Sequence, residues 1–116
     1  MSEEEKFEKG CEHFDNEEYF EAHEVWEELW MEASGPRHAF LQGIIQTSVA
    51  LHHARNNNFS GARKLLARAL GYLEKGQSES GDVELDKLKD CILDFANAME
   101  RNETLPFFRL PRSQKG

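Results

Sequence analysis

The chain has 116 residues, enough for one hydrophobic core but not two. Apolar residues make up 39% and charged residues 31%, and the net charge is −8. No apolar run approaches the ~20 residues of a membrane helix, and an acidic chain repels nucleic-acid phosphates overall, so a spanning segment and a nucleic-acid partner are both disfavoured.

The N-terminus, MSEEEKFEKG, is acidic and polar, which argues against a signal peptide. Cys11 and Cys91 are far apart and form no CxxC pattern. They read as reduced core thiols of a cytoplasmic protein. The charge is unevenly spread. Residues 1–33 carry 13 acids and 2 bases, residues 34–76 carry 1 acid and 6 bases, and residues 77–116 carry 8 acids and 6 bases.

Five helices are predicted, because apolar residues recur every three or four positions between Gly and Pro breakers. The first, about 3–14, places Phe7, Cys11 and Phe14 on one face. The second, about 17–33, is expected to be capped by Asp15 or Asn16 and carries the stripe Tyr19, Ala22, Val25, Trp26, Leu29 and Trp30. Ser34-Gly35-Pro36 ends it, with Pro36 placed to start the next helix. The third, about 37–55, is the least charged and the most buried. Asn56-Asn57-Asn58 turns into the fourth, about 59–75, which Gly76 stops. Asp82 is expected to cap the fifth, about 83–100. Short turns make sequential neighbours antiparallel. The fold class is therefore all-α, built of antiparallel helical hairpins in a bundle or a tetratricopeptide-like packing. No repeat with a period near 34 residues is evident. The boundaries are one domain over residues 1–104 and an apolar, basic tail over 105–116.

The turn near residue 34 sets a register. Facing positions on the second and third helices have numbers summing to about 69. Glu27 then lies level with Gln42, and His23 with Gln46. Each pair of four-apart residues shares a helix face. Two readings follow. One is an interhelical hydrogen-bond network that sets the helix register. The other is a small polar pocket for a metal, a ligand or acid–base work, with His23, Glu27 and His53 as possible metal ligands.

Known signatures narrow the chemistry. His23-Glu24-Val25-Trp26-Glu27 falls one residue short of the HExxH zinc motif, since Glu stands where the second His would be. No His has Glu three residues before it, which removes the ExxH pattern of di-iron bundles. No phosphate loop, dinucleotide fingerprint or GxSxG is present, and no cofactor is expected. His52 and His53 point about 100° apart on a helix, so His53 is the better partner of the polar stripe. Trp26 and Trp30 are core anchors or a partner surface. Arg63, Lys64 and Arg68 form a solvated face or a counterpart to the acidic second helix. Phe107 and Phe108 fold back over a groove or act as a free motif.

The segments Tyr19–Trp30, Gly35-Pro36, Phe40–Gln46, Ala50–His53 and Asn58–Leu70 together resemble the DUF309 family of small prokaryotic and plastid proteins. The resemblance implies an all-helical fold of antiparallel hairpins and supplies no activity. It implies that the family's characteristic polar residues fall on Glu21, His23, Glu24, Glu27, Gln42, Gln46 and His53. The functional expectation is a non-enzymatic helical domain that binds a protein partner or a second copy, through Trp26, Trp30, Phe107 and Phe108. The alternative is a metal-binding protein or hydrolase-type enzyme using the His/Glu pocket.

Overall fold

The computed structural model describes residues 1–113. Five α-helices follow in order: α1 (Glu3–Asp15), α2 (Tyr19–Glu32), α3 (Gly35–Arg55), α4 (Phe59–Lys75) and α5 (Leu85–Glu100). Among the described residues there is no strand, only one isolated bridge between Val83 and Arg112. The all-α class holds, and the helices pack as antiparallel hairpins: α1 on α2, α2 on α3, α3 on α4, and α5 more lightly on α4.

The two hairpins are closed by the same turn. In the first, Glu17 takes a left-handed backbone (φ 60) and Glu18 N–H donates to the His13 carbonyl at 2.8 Å. In the second, Asn57 does the same (φ 64) and Asn58 N–H donates to the His53 carbonyl, again at 2.8 Å. This is the Schellman stop, in which one residue past the cap turns left-handed and its successor reaches back to the last turn. Asn102 (φ 55) and Glu103 repeat it after α5. The turns at Glu17 and Asn57 are forty residues apart, and a shift of forty also superposes the buried pattern. Phe7, Gly10, Cys11, Phe14, Ala22, Trp26 and Leu29 correspond to Thr47, Ala50, Leu51, Ala54, Ala62, Leu66 and Ala69, all buried.

This turn corrects two expected caps. Neither Asp15 nor Asn16 caps α2: Asn16 is the C-cap of α1, and Glu18 occupies the N-cap without a side-chain bond. The left-handed residue at 17 delays the helix to Tyr19. Asp15 instead accepts from Leu110 N–H at 2.8 Å. Nor does Asp82 cap α5, which begins at Leu85 behind Glu84. Asp82 holds the Arg112 guanidinium at 2.7 and 2.9 Å. Asn58, by contrast, is a working cap of α4, its Oδ1 accepting from Gly61 N–H at 3.1 Å.

α3 lies at the centre, with ten buried residues around its circumference. A helix apolar on all sides must be enclosed. It is approached closely: a Cβ on Gly43 would lie 2.6 Å from Leu73 Cδ2. On the other side an aromatic cluster of Phe7, Phe14, Tyr19, Trp26 and Phe40 joins α1, α2 and α3, with ring centres 5.3–6.5 Å apart. The chain after α5 returns over this cluster. Phe108 packs on Phe14 at 5.7 Å, Phe107 on Tyr19 and Phe95 at 6.0 and 5.1 Å, and Leu110 is buried. Arg112 ties the end down between Asp82 and Glu8. Residues 114–116 of the tail lie outside the described residues.

Candidate functional site

The seam between α2 and α3 is where sequence register placed a polar layer. His23 Nε2 lies 2.7 Å from Glu27 Oε2, one turn along the same helix. The expected bonds across the seam are absent: among the described residues no hydrogen bond joins Gln42 or Gln46 to His23 or Glu27, and Gln46 Oε1 and His23 Nδ1 are buried without partners. Residues level along two helices need not face each other, and His23 and Glu27 meet within α2 instead. The bond that does cross the seam runs from Ser48 Oγ to the Tyr19 carbonyl at 2.6 Å. Trp30 Nε1 is also buried and unpaired, its ring stacked on His38 at 4.5 Å.

Beside this layer a cavity of about 290 Å³ opens between the N-terminal half of α2 and the C-terminal half of α3. Phe20, His23, Val49, His52 and His53 line it. Phe20 stands at its rim, 54% exposed, with its ring 5.6 Å from that of His23 and 6.2 Å from that of His52. Phe20 and His52 also border a neighbouring depression of about 450 Å³ shared with Glu17, Glu18, Glu21, Arg55 and Asn56. The two adjoin at Phe20 and His52 along the groove between α2 and α3. His52 and His53 both reach it despite their different directions on the helix, with ring centres 6.1 Å apart.

Hydrogen bonds set the imidazole roles. Asn58 Oδ1 accepts from Gly61 N–H, so its amide nitrogen faces His53 Nδ1 at 3.1 Å and donates to it. Neutral His53 therefore carries its proton on Nε2. A lone pair 2.7 Å from a carboxylate would be repelled, so His23 carries a proton on Nε2, while its Nδ1 is buried without a partner.

The duplicated turn separates structural from unexplained histidines. His53 bonds Asn58 as His13 bonds Glu18, whose Oε1 lies 2.8 Å from His13 Nδ1. Each histidine sits at the same place in its turn, so His53 has a structural duty whatever else it does. Phe20, His23 and His52 have Ser60, Arg63 and Glu12 at the equivalent positions, so their contacts, His23 with Glu27 and His52 with Asn56 at 3.4 Å, belong to one hairpin only. His52, Phe20 and Val49 line the cavity, although the sequence reading sets them outside the polar site. A signal existed: His-x-x-Asn-x-x-aromatic-x-x-Ala occurs as His13–Ala22 and again as His53–Ala62, and the groove residues are those the motif does not account for.

The remaining predicted residues separate clearly. Glu21 lines the outer groove, Glu24 is exposed, and Glu27 and Gln42 are half-buried. His23, Glu27 and His53 do not assemble as a metal set; among the described residues no three His, Cys, Asp or Glu side chains are so disposed. Trp26 is completely buried and donates from Nε1 to the Phe7 carbonyl at 3.2 Å, so it presents no surface to a partner. Trp30, Phe107 and Phe108 are half-buried. Arg63, Lys64 and Arg68 are exposed and make none of the ion pairs found among the described residues; they do not meet α2. Burial pushes the Cys11 thiol up to about 12 and raises Cys91 as well, so neither is an activated nucleophile.

Comparison with known proteins places this geometry in a family. A model described as a domain of unknown function, DUF309, matches residues 7–65, half of the chain. The chain belongs to the DUF309 family. A Bacillus subtilis relative, described only as the uncharacterized protein YpuF, is 39% identical over 70 residues. That match takes in 60% of this chain and 40% of the relative, so the chain spans well under half of that protein. No solved structure matches. The DUF309 match contains every residue of the 290 Å³ cavity, from Phe20 to His53, and ends within α4, short of α5 and the returning tail.

Proposed function

We propose that this DUF309 domain acts by binding rather than catalysis, and that its site is the groove between α2 and α3. The observation carrying this reading is Phe20. A large aromatic side chain held 54% exposed at the rim of a cavity gains little from folding alone. An occupant that covers it recovers that burial. The cavity wall is otherwise apolar or imidazole, which suits an apolar side chain. The natural occupant of such a groove is a side chain of a protein partner or of a second copy.

A second reading has one specific observation behind it. The His23–Glu27 pair, with His23 lining the cavity, has the form of an acid–base dyad for a hydrolase-type enzyme. Glu27→Gln separates the two: binding at the groove should survive it, whereas acid–base turnover should fall by about 10²-fold or more.

The direct test is an amide NMR titration with three small probes, phenol, benzylamine and hexanoate. Shifts confined to residues around Phe20, His23, Val49, His52 and His53, lost in Phe20→Ala, support the site. Probes that shift nothing there, or that bind equally well to Phe20→Ala, overturn it.

A further inference from the structure

The outer face of α2 has a composition that names its partner's charge. Glu21, Glu24 and Glu28 fall within about 60° on one side of the helix, since residues three, four and seven apart share a face, and Glu17 stands in the turn just before it. Glu17 is partly answered by Arg55 at 4.0 Å, and the Arg55 guanidinium is further engaged with the Glu17 carbonyl and the Tyr19 ring. Glu21, Glu24 and Glu28 are exposed and belong to none of the ion pairs found among the described residues. Phe20 and Met31, 54% and 66% exposed, flank this stripe on the same side of the helix wheel. Eleven residues at the helical rise put them about 16 Å apart. An acidic stripe bracketed by two uncovered apolar side chains, one at the rim of a cavity, complements a segment that is basic and apolar in alternation.

We infer that the α2 face docks a basic, Lys- or Arg-rich amphipathic segment of a partner protein, with one apolar side chain of that segment entering the Phe20–His23–Val49–His52–His53 cavity. This rests on the groove being the binding site. The partner's cations lie along Glu21, Glu24 and Glu28, and the cation nearest the cavity rests against the face of Phe20. Residues 1–33 carry 13 acids against 2 bases, only partly answered by Arg37, Arg55, Arg109 and Arg112, and this excess steers the encounter. Anchor and charge are separate contributions: the anchor sets the dissociation rate, the charge the association rate and its salt dependence.

The test uses the full chain and a fluorescein-labelled 14-residue peptide with Lys and Leu at helical spacing, read by anisotropy. A twin peptide carries Glu in place of Lys. The Lys peptide should bind, and the Glu peptide should bind at least tenfold more weakly. Phe20→Ala should weaken the Lys peptide by tenfold or more. The triple variant Glu21→Gln, Glu24→Gln, Glu28→Gln should weaken it similarly, whereas Glu4→Gln, Glu12→Gln, Glu100→Gln, with the same net charge, should leave it nearly unchanged. Equal loss in both triple variants means unspecific attraction to an acidic protein and overturns the inference. Equal binding of the two peptides, each sensitive to Phe20→Ala, overturns the charge preference and leaves the groove standing. No binding by either peptide, with no small-probe shifts at the groove, overturns both. If sedimentation shows a dimer that Arg63→Glu with Lys64→Glu dissolves, the occupant is the basic face of a second copy, and the inference fails in that form.

Discussion

The two hairpins share a backbone and differ in almost everything placed on it. Both close with a left-handed residue followed by an N–H reaching five residues back, at 2.8 Å in each. Both bury the seven equivalent positions named above. At three of them the first has aromatics, Phe7, Phe14 and Trp26, where the second has smaller groups, Thr47, Ala54 and Leu66. The first is acidic outside and the second basic. Backbone path is thus set by the turn and the spacing of buried positions, while volume and charge are free to diverge. The groove lies where that divergence is greatest, between a bulky acidic helix and the end of the central helix.

The comparison can be broken at its core. Trp26 and Leu66 occupy equivalent buried positions. Trp26→Ala should destabilise by about 3–5 kcal/mol, with loss of the hydrogen bond to Phe7 adding to the lost burial, and Leu66→Ala by about 2–5 kcal/mol. Urea denaturation of both decides whether the aromatic hairpin is the more costly to empty. A larger loss at Leu66 would reverse the ranking.

Next in size is the contact that lets the bulky hairpin close. A Cβ on Gly10 would lie 2.6 Å from Trp26 Cε2, inside any tolerable contact. Gly10→Ala should cost about 1–3 kcal/mol by overpacking. Gly71 is exposed, with open space where its Cβ would be, and Gly71→Ala should stabilise by about 0.5–1 kcal/mol. Thermal melts giving the same sign for both would refute the packing argument.

The turns differ in their caps, and the effects are smaller. Asn58→Ala removes a side-chain cap and should cost about 1 kcal/mol; Glu18→Ala removes none and should cost less. Left-handed backbone is harder on Glu than on Asn, so Glu17→Gly should raise the melting temperature by more than Asn57→Gly does. The reverse order would show that side-chain contacts, not backbone strain, dominate the first turn.

The least energetic contrast concerns Cys11, whose partner position in the second hairpin is Leu51. With its thiol pushed up to about 12 by burial, Cys11 holds almost no thiolate at pH 8. A disulfide reagent at pH 8 should label half-buried Cys91 first and Cys11 only on unfolding. Fast labelling of Cys11 in the native state would place it outside the core.

Helix number, order and approximate extent were legible in the residues, because spacing of apolar side chains and the Gly, Pro and Asn breakers act locally. The closing turns were half-legible: Asn57 was assigned to a turn, but Glu17 was assigned to a helix, since nothing in an isolated Glu announces a left-handed backbone. The histidine motif repeats at forty residues, a period longer than the thirty-four of a tetratricopeptide array.

The residues by themselves determined an all-helical chain with a bulky acidic first third, a basic middle and an aromatic tail. Only the tertiary structure decided which polar groups meet. It paired His23 with Glu27 instead of Gln46, gave His53 to Asn58, sealed Trp26 inside and left Phe20 at the rim of the groove. Register along two helices is a local property, but facing depends on how each helix is rotated about its own axis. That rotation is set by the whole packed core, Gly10 under Trp26 and Gly43 under Leu73 included.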